Sequence, residues 1–202
     1  MKIIIVGAGE VGFHIASHLA GEEKDVVVID AKPEATRRVS DHIDVQVMVG
    51  SGSSPITLEE AGIRGAEILL AVTNSDETNL VACLMADLIS PSTLKLARIR
   101  GAEFDAYTER FRDQAPHIDT VINPEVEVVR TIERMMRIPG AVDVNEFADG
   151  RVKFVGIQLD DRSILAGISL MAMPGVLKGR RLLIAAVVRE EKMIIPRGGD
   201  RL

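Results

Sequence analysis

Lys2-Ile3-Ile4-Ile5-Val6-Gly7-Ala8-Gly9-Glu10-Val11-Gly12 is the stretch that decides the fold. A short apolar run leads directly into a G-x-G-x-x-G pattern and then into a helical one. A buried strand that breaks into a helix must turn tightly, and glycine does so without a Cβ clash. A second glycine lets the main chain approach a pyrophosphate, and a third lets the helix pack closely on the strand. The helix N-terminus then offers unpaired N–H groups and the positive end of its dipole to phosphates. The pattern alone is weak, because a glycine turn with no ligand has the same sequence. The next apolar run, Val26-Val27-Val28-Ile29, ends in Asp30. An acid roughly 20 residues on is where a dinucleotide-binding unit meets ribose hydroxyls. Strand, turn, helix, strand and acid in that order predict an adenosine-nucleotide site.

Further short apolar runs alternate with helical patterns: Val45 to Val49, Ile68 to Val72, Leu94 to Arg98 and Thr120 to Ile122. Six strands with intervening helices predict an α/β, doubly wound parallel sheet, Rossmann-like, with helices on both faces. Ligands of such sheets bind outside the carboxyl ends of the strands, near the point where strand order reverses. The predicted tips are Gly7 to Gly12, Asp30, Gly50-Ser51-Gly52-Ser53, Thr73-Asn74-Ser75 and Arg98. Each is small, polar or charged after an apolar strand. Ser53 and Ser75 also suit ordinary turn and capping chemistry.

Composition narrows the partners. Lys plus Arg is 24 and Asp plus Glu is 30, a net charge of −6 over 202 residues. That balance argues against nucleic acid or an anionic membrane surface as partner. Trp is absent and there is one Tyr, so stacking on bases has little support. A single cysteine allows no internal disulfide, and the apolar runs are far shorter than the ~18 residues a membrane span needs. The N-terminal run is too short for a signal peptide, so the expectation is a cytoplasmic protein with no direct membrane insertion.

Asn123-Pro124 opens another helix, whose Val128, Val129, Ile132, Met135 and Met136 share one side. That stripe fits an intramolecular core or a subunit interface equally. Arg137-Ile138-Pro139-Gly140 breaks the pattern, which places a nucleotide-binding domain at 1–137 and a second unit at 141–202. Val142 to Phe147 and Val152 to Ile157 alternate around Asp149-Gly150, a hairpin signal. Later runs are Leu182 to Val188 and Met193 to Ile195. This small α+β lobe is too short for a good core alone, so it docks or dimerises.

Groups for chemistry are scarce. His14 and His18 share a helix face at metal-ligand spacing, but no nearby acid or cysteine completes a site. His42 and His117 sit in polar, turn-like surroundings, and Cys83 lies in an apolar helix as a small buried residue. Nucleophile-elbow and P-loop patterns are absent. Asp30 accepts from ribose hydroxyls and repels a 2′-phosphate, which disfavours NADP but does not separate NAD from ATP or ADP. Arg98 could meet phosphate in a bidentate way or form a surface ion pair. Lys32, Arg37, Arg38 and Arg100 read as solvated charges, and Glu125 suits a helix N-terminus without any ligand.

The glycine turn, Asp30, Gly50-Ser51-Gly52, Ala71 to Asn79, Ala97 to Arg100 and Ile122-Asn123-Pro124-Glu125 together resemble the TrkA family. These are cytosolic regulatory subunits of Trk potassium uptake systems, built from RCK (also called KTN) domains. The tail, through Arg189 to Pro196 and Gly199-Asp200, resembles the family's C-terminal lobe. The resemblance implies binding of NAD or NADH, and of ATP or ADP, at one site with no catalysis. It also implies a homodimer or larger ring beneath a membrane-embedded Trk-type channel subunit, with ligand exchange changing ring shape. Carried over by position, the nucleotide contacts are Gly7, Ala8, Gly9, Glu10, Val11, Gly12, Asp30, Ser51, Thr73, Asn74 and Arg98. Family members resemble two such units in tandem, whereas this chain has one and stops soon after Asp200.

Two rivals share the fingerprint. An NAD-dependent oxidoreductase needs a proton-transfer group near the nicotinamide, and the candidates for one are poor. A redox-sensing transcription regulator predicts a basic DNA-binding helix pair, which this acidic chain does not offer.

Overall fold

The structure is a computed structural model of the chain. It describes all residues except 139, 149, 161, 177–182 and 191, and the side chain of Arg137. The chain divides into two compact units, Met1–Arg130 and Thr131–Leu202.

The first unit alternates strand and helix. Its order is β1 (Lys2–Val6), α1 (Glu10–Gly21), β2 (Asp25–Asp30), α2 (Pro33–His42), β3 (Gln46–Val49) and α3 (Pro55–Glu60). Then follow β4 (Ile68–Ala71), α4 (Asp76–Ile89), β5 (Leu94–Arg98), α5 (Thr108–Asp113) and β6 (Thr120–Ile122), and α6 (Pro124–Arg137) begins in this unit and ends in the second. The strands form one parallel sheet in the order β3-β2-β1-β4-β5-β6, the doubly wound arrangement that the sequence predicts. Strand order reverses between β1 and β4, so the crevice for a ligand opens where their carboxyl ends meet.

The sheet is covered on both faces, which explains the continuous rather than alternating apolar strands. Ile4, Val6, Val27, Ile29, Leu69 and Ala71 pack with Leu58 of α3 and with Ala82, Cys83 and Ala86 of α4. Ile3, Ile5, Val26 and Val28 face the other way, with Ala16 of α1 and Val39 of α2. Helix starts follow local chemistry. Ser54 and Ser75 cap α3 and α4 by accepting from Thr57 N and Thr78 N, at 3.5 and 3.1 Å. Asn123 Oδ1 accepts from Val126 N at 3.3 Å, and Pro124 takes the first position of α6. On α6 the side chains of Val128, Val129, Ile132, Met135 and Met136 are all exposed.

The second unit is strand-rich. β7 (Ala141–Phe147) and β8 (Val152–Ile157) form an antiparallel hairpin in which Glu146 and Lys153 stand opposite and pair at 2.8 Å. Gly150 takes φ +79° in its turn, while Asp149 lies outside the described residues. A single helical turn, α7 (Met173–Val176), precedes a second hairpin of β9 (Val187–Arg189) and β10 (Lys192–Ile194). Of the run Leu182 to Val188, Leu182 lies outside the described residues, and strand is confined to its last two positions and Arg189. Pro139 and Glu191, within the expected boundary and the tail, are likewise outside. Among the described residues no helix is long and apolar enough to cross a membrane.

Candidate functional site

The glycine turn sits at the carboxyl end of β1, and its three glycines meet different constraints. Gly7 takes φ +111°, and a Cβ there would lie 3.0 Å from Thr73 N, so the β1 and β4 tips are nearly in contact. On Gly12 a Cβ would lie 1.8 Å from the Gly7 carbonyl oxygen, which is how closely α1 approaches the turn. A Cβ on Gly9 would meet no heavy atom within 4 Å. Nothing in the chain's own packing therefore requires glycine there; the bare face is open space beside the first turn of α1. The first N–H groups of a helix have no intrahelical partners. Gly9 caps α1 with no side-chain hydrogen bond, which leaves those amides to an outside acceptor.

Asp30, at the β2 tip, is tied to this turn. Its Oδ2 accepts from Ala8 N at 2.7 Å and its Oδ1 from Lys32 N at 2.9 Å. The β3 tip folds over β1: a Cβ on Gly52 would lie 2.0 Å from the Val6 side chain. Ser51 and Ser53 are linked there, Oγ to Oγ, at 2.8 Å. At the β5 tip, Arg98 Nη1 reaches Asn74 Oδ1 at the long distance of 3.5 Å. Arg98 Nε is buried and makes no hydrogen bond among the described residues. A guanidinium with a buried, unmatched donor suits an anionic partner.

These tips thus gather a helix N-terminus, an open glycine face, a carboxylate and an incompletely paired arginine at one end of one sheet. Residues 3–124 match the TrkA-N domain family. This chain belongs to that family. It is 37% identical over 198 residues to the Trk system potassium uptake protein TrkA of Halomonas elongata, covering 98% of this chain and 43% of that protein. It therefore spans less than half the length of that relative. Among solved structures, the GsuK channel bound to NAD aligns over 100% of this chain and 35% of its own, at TM-score 0.69 and 16% identity. GsuK bound to ADP aligns over 67% of this chain and 33% of its own, at TM-score 0.53 and 23% identity. Likeness at that identity shows the fold.

Within this TrkA-N domain the sequence-derived site residues divide by what their side chains do. Gly7, Ala8, Gly9, Val11 and Gly12 contribute backbone. Glu10 does too, because its carboxylate is turned toward α2, where Arg38 Nη1 donates to it at 2.6 Å. That hydrogen bond and the charge behind it hold the Glu10 carboxyl below its ordinary value. Arg38 also lies 4.5 Å over the Phe13 ring, so it is an engaged cation rather than a free solvated one. Thr73 is engaged as well. Its N–H donates to Asn79 Oδ1 at 2.9 Å, its carbonyl accepts from Asn79 Nδ2 at 3.2 Å, and its hydroxyl donates to Asn79 Oδ1 at 2.7 Å and accepts from Ser75 N at 3.2 Å. Asn74 turns outward, held by Arg100 Nη2 on its carbonyl at 2.8 Å.

Sequence reasoning missed Asn79 and Asp76. The signal was present: the buried stripe of α4 reads Asn79, Ala82, Cys83, Ala86, Asp87, an apolar face with an amide at one end and an acid at the other. It also missed a polar cluster at the opposite end of the sheet. Lys95 is 2% exposed, and its ammonium meets Asp87 Oδ1 at 3.0 Å and the carbonyls of Thr93 and Pro91 at 3.0 and 3.3 Å. His117 Nδ1 donates to Asp87 Oδ2 at 2.8 Å. Burial raises the Asp87 carboxyl, but the hydrogen bonds from His117 and Lys95 outweigh it and leave the group below its ordinary value. His14 and His18 pair with Glu10 and Glu22 at 3.6 and 3.4 Å. Among the described residues no group of three or more His, Cys, Asp or Glu could hold a metal ion. Cys83 is fully buried, and burial pushes its thiol up to about 12.

Proposed function

We propose that this chain is the nucleotide-sensing unit of a Trk-type potassium uptake regulator. Residues 1–137 form its nucleotide-binding RCK (KTN) domain and 141–202 its C-terminal lobe. The ligand is an adenosine nucleotide, NAD or NADH with ATP or ADP competing for the same place. The α1 amides and the bare face of Gly9 would receive its phosphates, with Arg98 beside them. Asp30 would accept from its ribose hydroxyls, with Ser51 and Asn74 at the rim. The observation that carries this reading is the pairing of an open Gly9 face with an unmatched Arg98 Nε at the same end of the sheet. The family membership supports it, as do the related folds named as bound to NAD and to ADP.

The output is a change of shape rather than a reaction. The described strand-tip residues include no histidine or cysteine to move a proton; they are amides, hydroxyls, the carboxylates of Glu10 and Asp30, and guanidinium groups. Two nucleotides bias a protein only through different affinities for its conformations, and coupling of about 1–3 kcal/mol per site suffices for a useful switch. The working assembly is a homodimer or larger ring, cytoplasmic and peripheral to the membrane through the channel subunit. The exposed apolar stripe of α6 suits such self-association.

Native mass spectrometry of the purified chain, followed by calorimetric titration with NADH, ATP and ADP, tests the reading. The expected result is one adenosine nucleotide per chain, with NADH and ATP displacing each other. A chain that takes up none of the three overturns it.

A further inference from the structure

The β4–β5 ladder ends at the pair Ala71 and Ala97. Beyond it the two tips would part, since no further main-chain rung joins them. A side chain supplies one instead. Asn79 is 0% exposed; its Oδ1 accepts from Thr73 N at 2.9 Å, and its Nδ2 donates to the carbonyls of Arg98 at 2.7 Å and of Thr73 at 3.2 Å. A carboxamide carries a donor and an acceptor in the same plane as a peptide group does, so it can stand in for a peptide between two strands. A leucine or an aspartate of similar size lacks one or both halves.

Asp76 lies one turn earlier on the same face of α4, since residues three apart are neighbours on a helix. Its Oδ2 accepts from Arg100 N at 2.9 Å and from Gly101 N at 2.7 Å. Arg98 is thus held at its own carbonyl by Asn79, and two residues further on by Asp76. Its guanidinium is free of comparable restraint: one 3.5 Å contact to Asn74, and a buried Nε without a partner among the described residues. The polar groups of Thr73 are engaged by Asn79 and Ser75. Discrimination at this end of the site therefore falls to Arg98, whose aim is set from behind.

We propose that Asn79 is a positioning residue that fixes Arg98 toward phosphate, and so sets how strongly the site prefers phosphorylated adenosine over adenosine itself. This rests on the nucleotide reading above. A purely structural staple between α4 and the sheet would behave differently. Its loss would lower stability and weaken adenosine and ADP by the same factor.

The experiment is calorimetry of the full chain with adenosine and with ADP, read as the ratio of their affinities. Asn79→Leu should cut that ratio by roughly tenfold, the scale on which hydrogen-bonded neighbours couple. In an Arg98→Ala background, Asn79→Leu should leave the ratio as it stands. An unchanged ratio in Asn79→Leu overturns the proposal, and so does an equal further fall in the Arg98→Ala background. Should Asn79→Leu fail to fold, Asp76→Ala releases the same segment from a position nearer the surface and must lower the ratio; an unaltered ratio there also overturns it. Failure of the unaltered chain to bind either compound overturns the nucleotide reading and this proposal together. Discrimination by the unaltered chain that survives both substitutions overturns this proposal alone.

Discussion

Gly9 and Gly12 belong to one turn, yet a methyl group added to each should fail in opposite ways. On Gly12 the new Cβ would lie 1.8 Å from the Gly7 carbonyl oxygen and 3.0 Å from its carbon. Approaches under 3.0 Å are essentially never seen, so α1 and the turn must part by about 1.2 Å (3.0 less 1.8). The obstacle is backbone, which cannot rotate aside as a side chain can. Overpacking costs about 1–3 kcal/mol, at the upper end when main chain must move, and alanine's better helix propensity offsets about 1 kcal/mol. The expected net loss is roughly 2 kcal/mol, a fall in melting temperature of about 4–8 °C for a chain of this length. Gly9 has φ −68° and ψ −171°, a conformation any residue adopts, and its Cβ meets nothing within 4 Å. Alanine is a poorer helix cap, so Gly9→Ala should lose only about 1 kcal/mol or less. Its methyl group would nevertheless stand on the open face beside the α1 amides. Loss of one or two hydrogen bonds to a charged phosphate, each about 1.5–3 kcal/mol, weakens ADP and NADH by at least about tenfold. Thermal denaturation followed by circular dichroism reads the first effect, and calorimetry the second. A Gly9→Ala chain that binds both nucleotides like the unaltered one refutes the phosphate cradle. A Gly12→Ala chain that melts unchanged refutes the close approach of helix and turn.

Asp30→Ala should weaken adenosine and ADP alike, by roughly 10- to 100-fold, from lost charge-assisted hydrogen bonds; calorimetry that finds only ADP affected would place the carboxylate elsewhere. Cys83, with its thiol pushed up to about 12 by burial, should resist a disulfide reagent at pH 8 in the folded chain and react once in denaturant; prompt reaction of the folded chain contradicts its burial. Asp87 ionises more readily folded than unfolded, where a carboxyl titrates near ~3.9. Its contribution is therefore present above that value and lost as pH falls through the lower folded one. Urea midpoints should drop in that acid range, and Asp87→Asn should make the drop shallower; an equal drop in the variant removes Asp87 from the account. Ile132→Glu, on the exposed stripe of α6, should shift sedimentation from the assembled form toward the single chain, and an unmoved profile places the interface elsewhere.

The grouping of the candidate site residues at one edge was legible because it depends on order along the chain. Once β1 to β6 are read as parallel strands, their carboxyl ends share one edge, and Gly7, Asp30, Gly52, Thr73 and Arg98 follow from position alone. That helices cover both faces of a parallel sheet was legible through the right-handed crossover rule, whereas the strand order comes from the fold. What the second unit does was harder to read. Its second hairpin is short, and its apolar side chains, Val142, Phe147, Val152 and Phe154 among them, are exposed on this chain. Alternation predicted the β7–β8 hairpin, but the apolar run from Leu182 promised more strand than Val187–Arg189. Apolar character marks burial, and in a unit with little core it does not specify which burial.

Roles within the site were not legible, because a role depends on which polar atoms remain unmatched after folding. Thr73 and Arg98 look alike in sequence, each a polar residue just past an apolar strand. In the fold Asn79 and Ser75 engage the polar groups of Thr73, while Arg98 keeps a buried Nε without a partner among the described residues. The difference is made by one amide on α4, which sequence patterning counts as an imperfection in an apolar stripe. Lys95 teaches the same lesson at the other end of β5. Its charge interrupts an apolar strand, yet it is buried because Asp87, Pro91 and Thr93 surround its ammonium. A charge inside a strand pattern therefore signals a partner on a neighbouring element. For Lys95 that partner is the carboxylate at the far end of α4, the helix whose first turn holds Arg98. Both ends of β5 are thus fixed by one helix. A shift of α4 along its axis would disturb the Asn79 contact to Arg98 and the Asp87 contact to Lys95 together, so the glycine-turn end and the opposite end of this sheet are coupled through one helix.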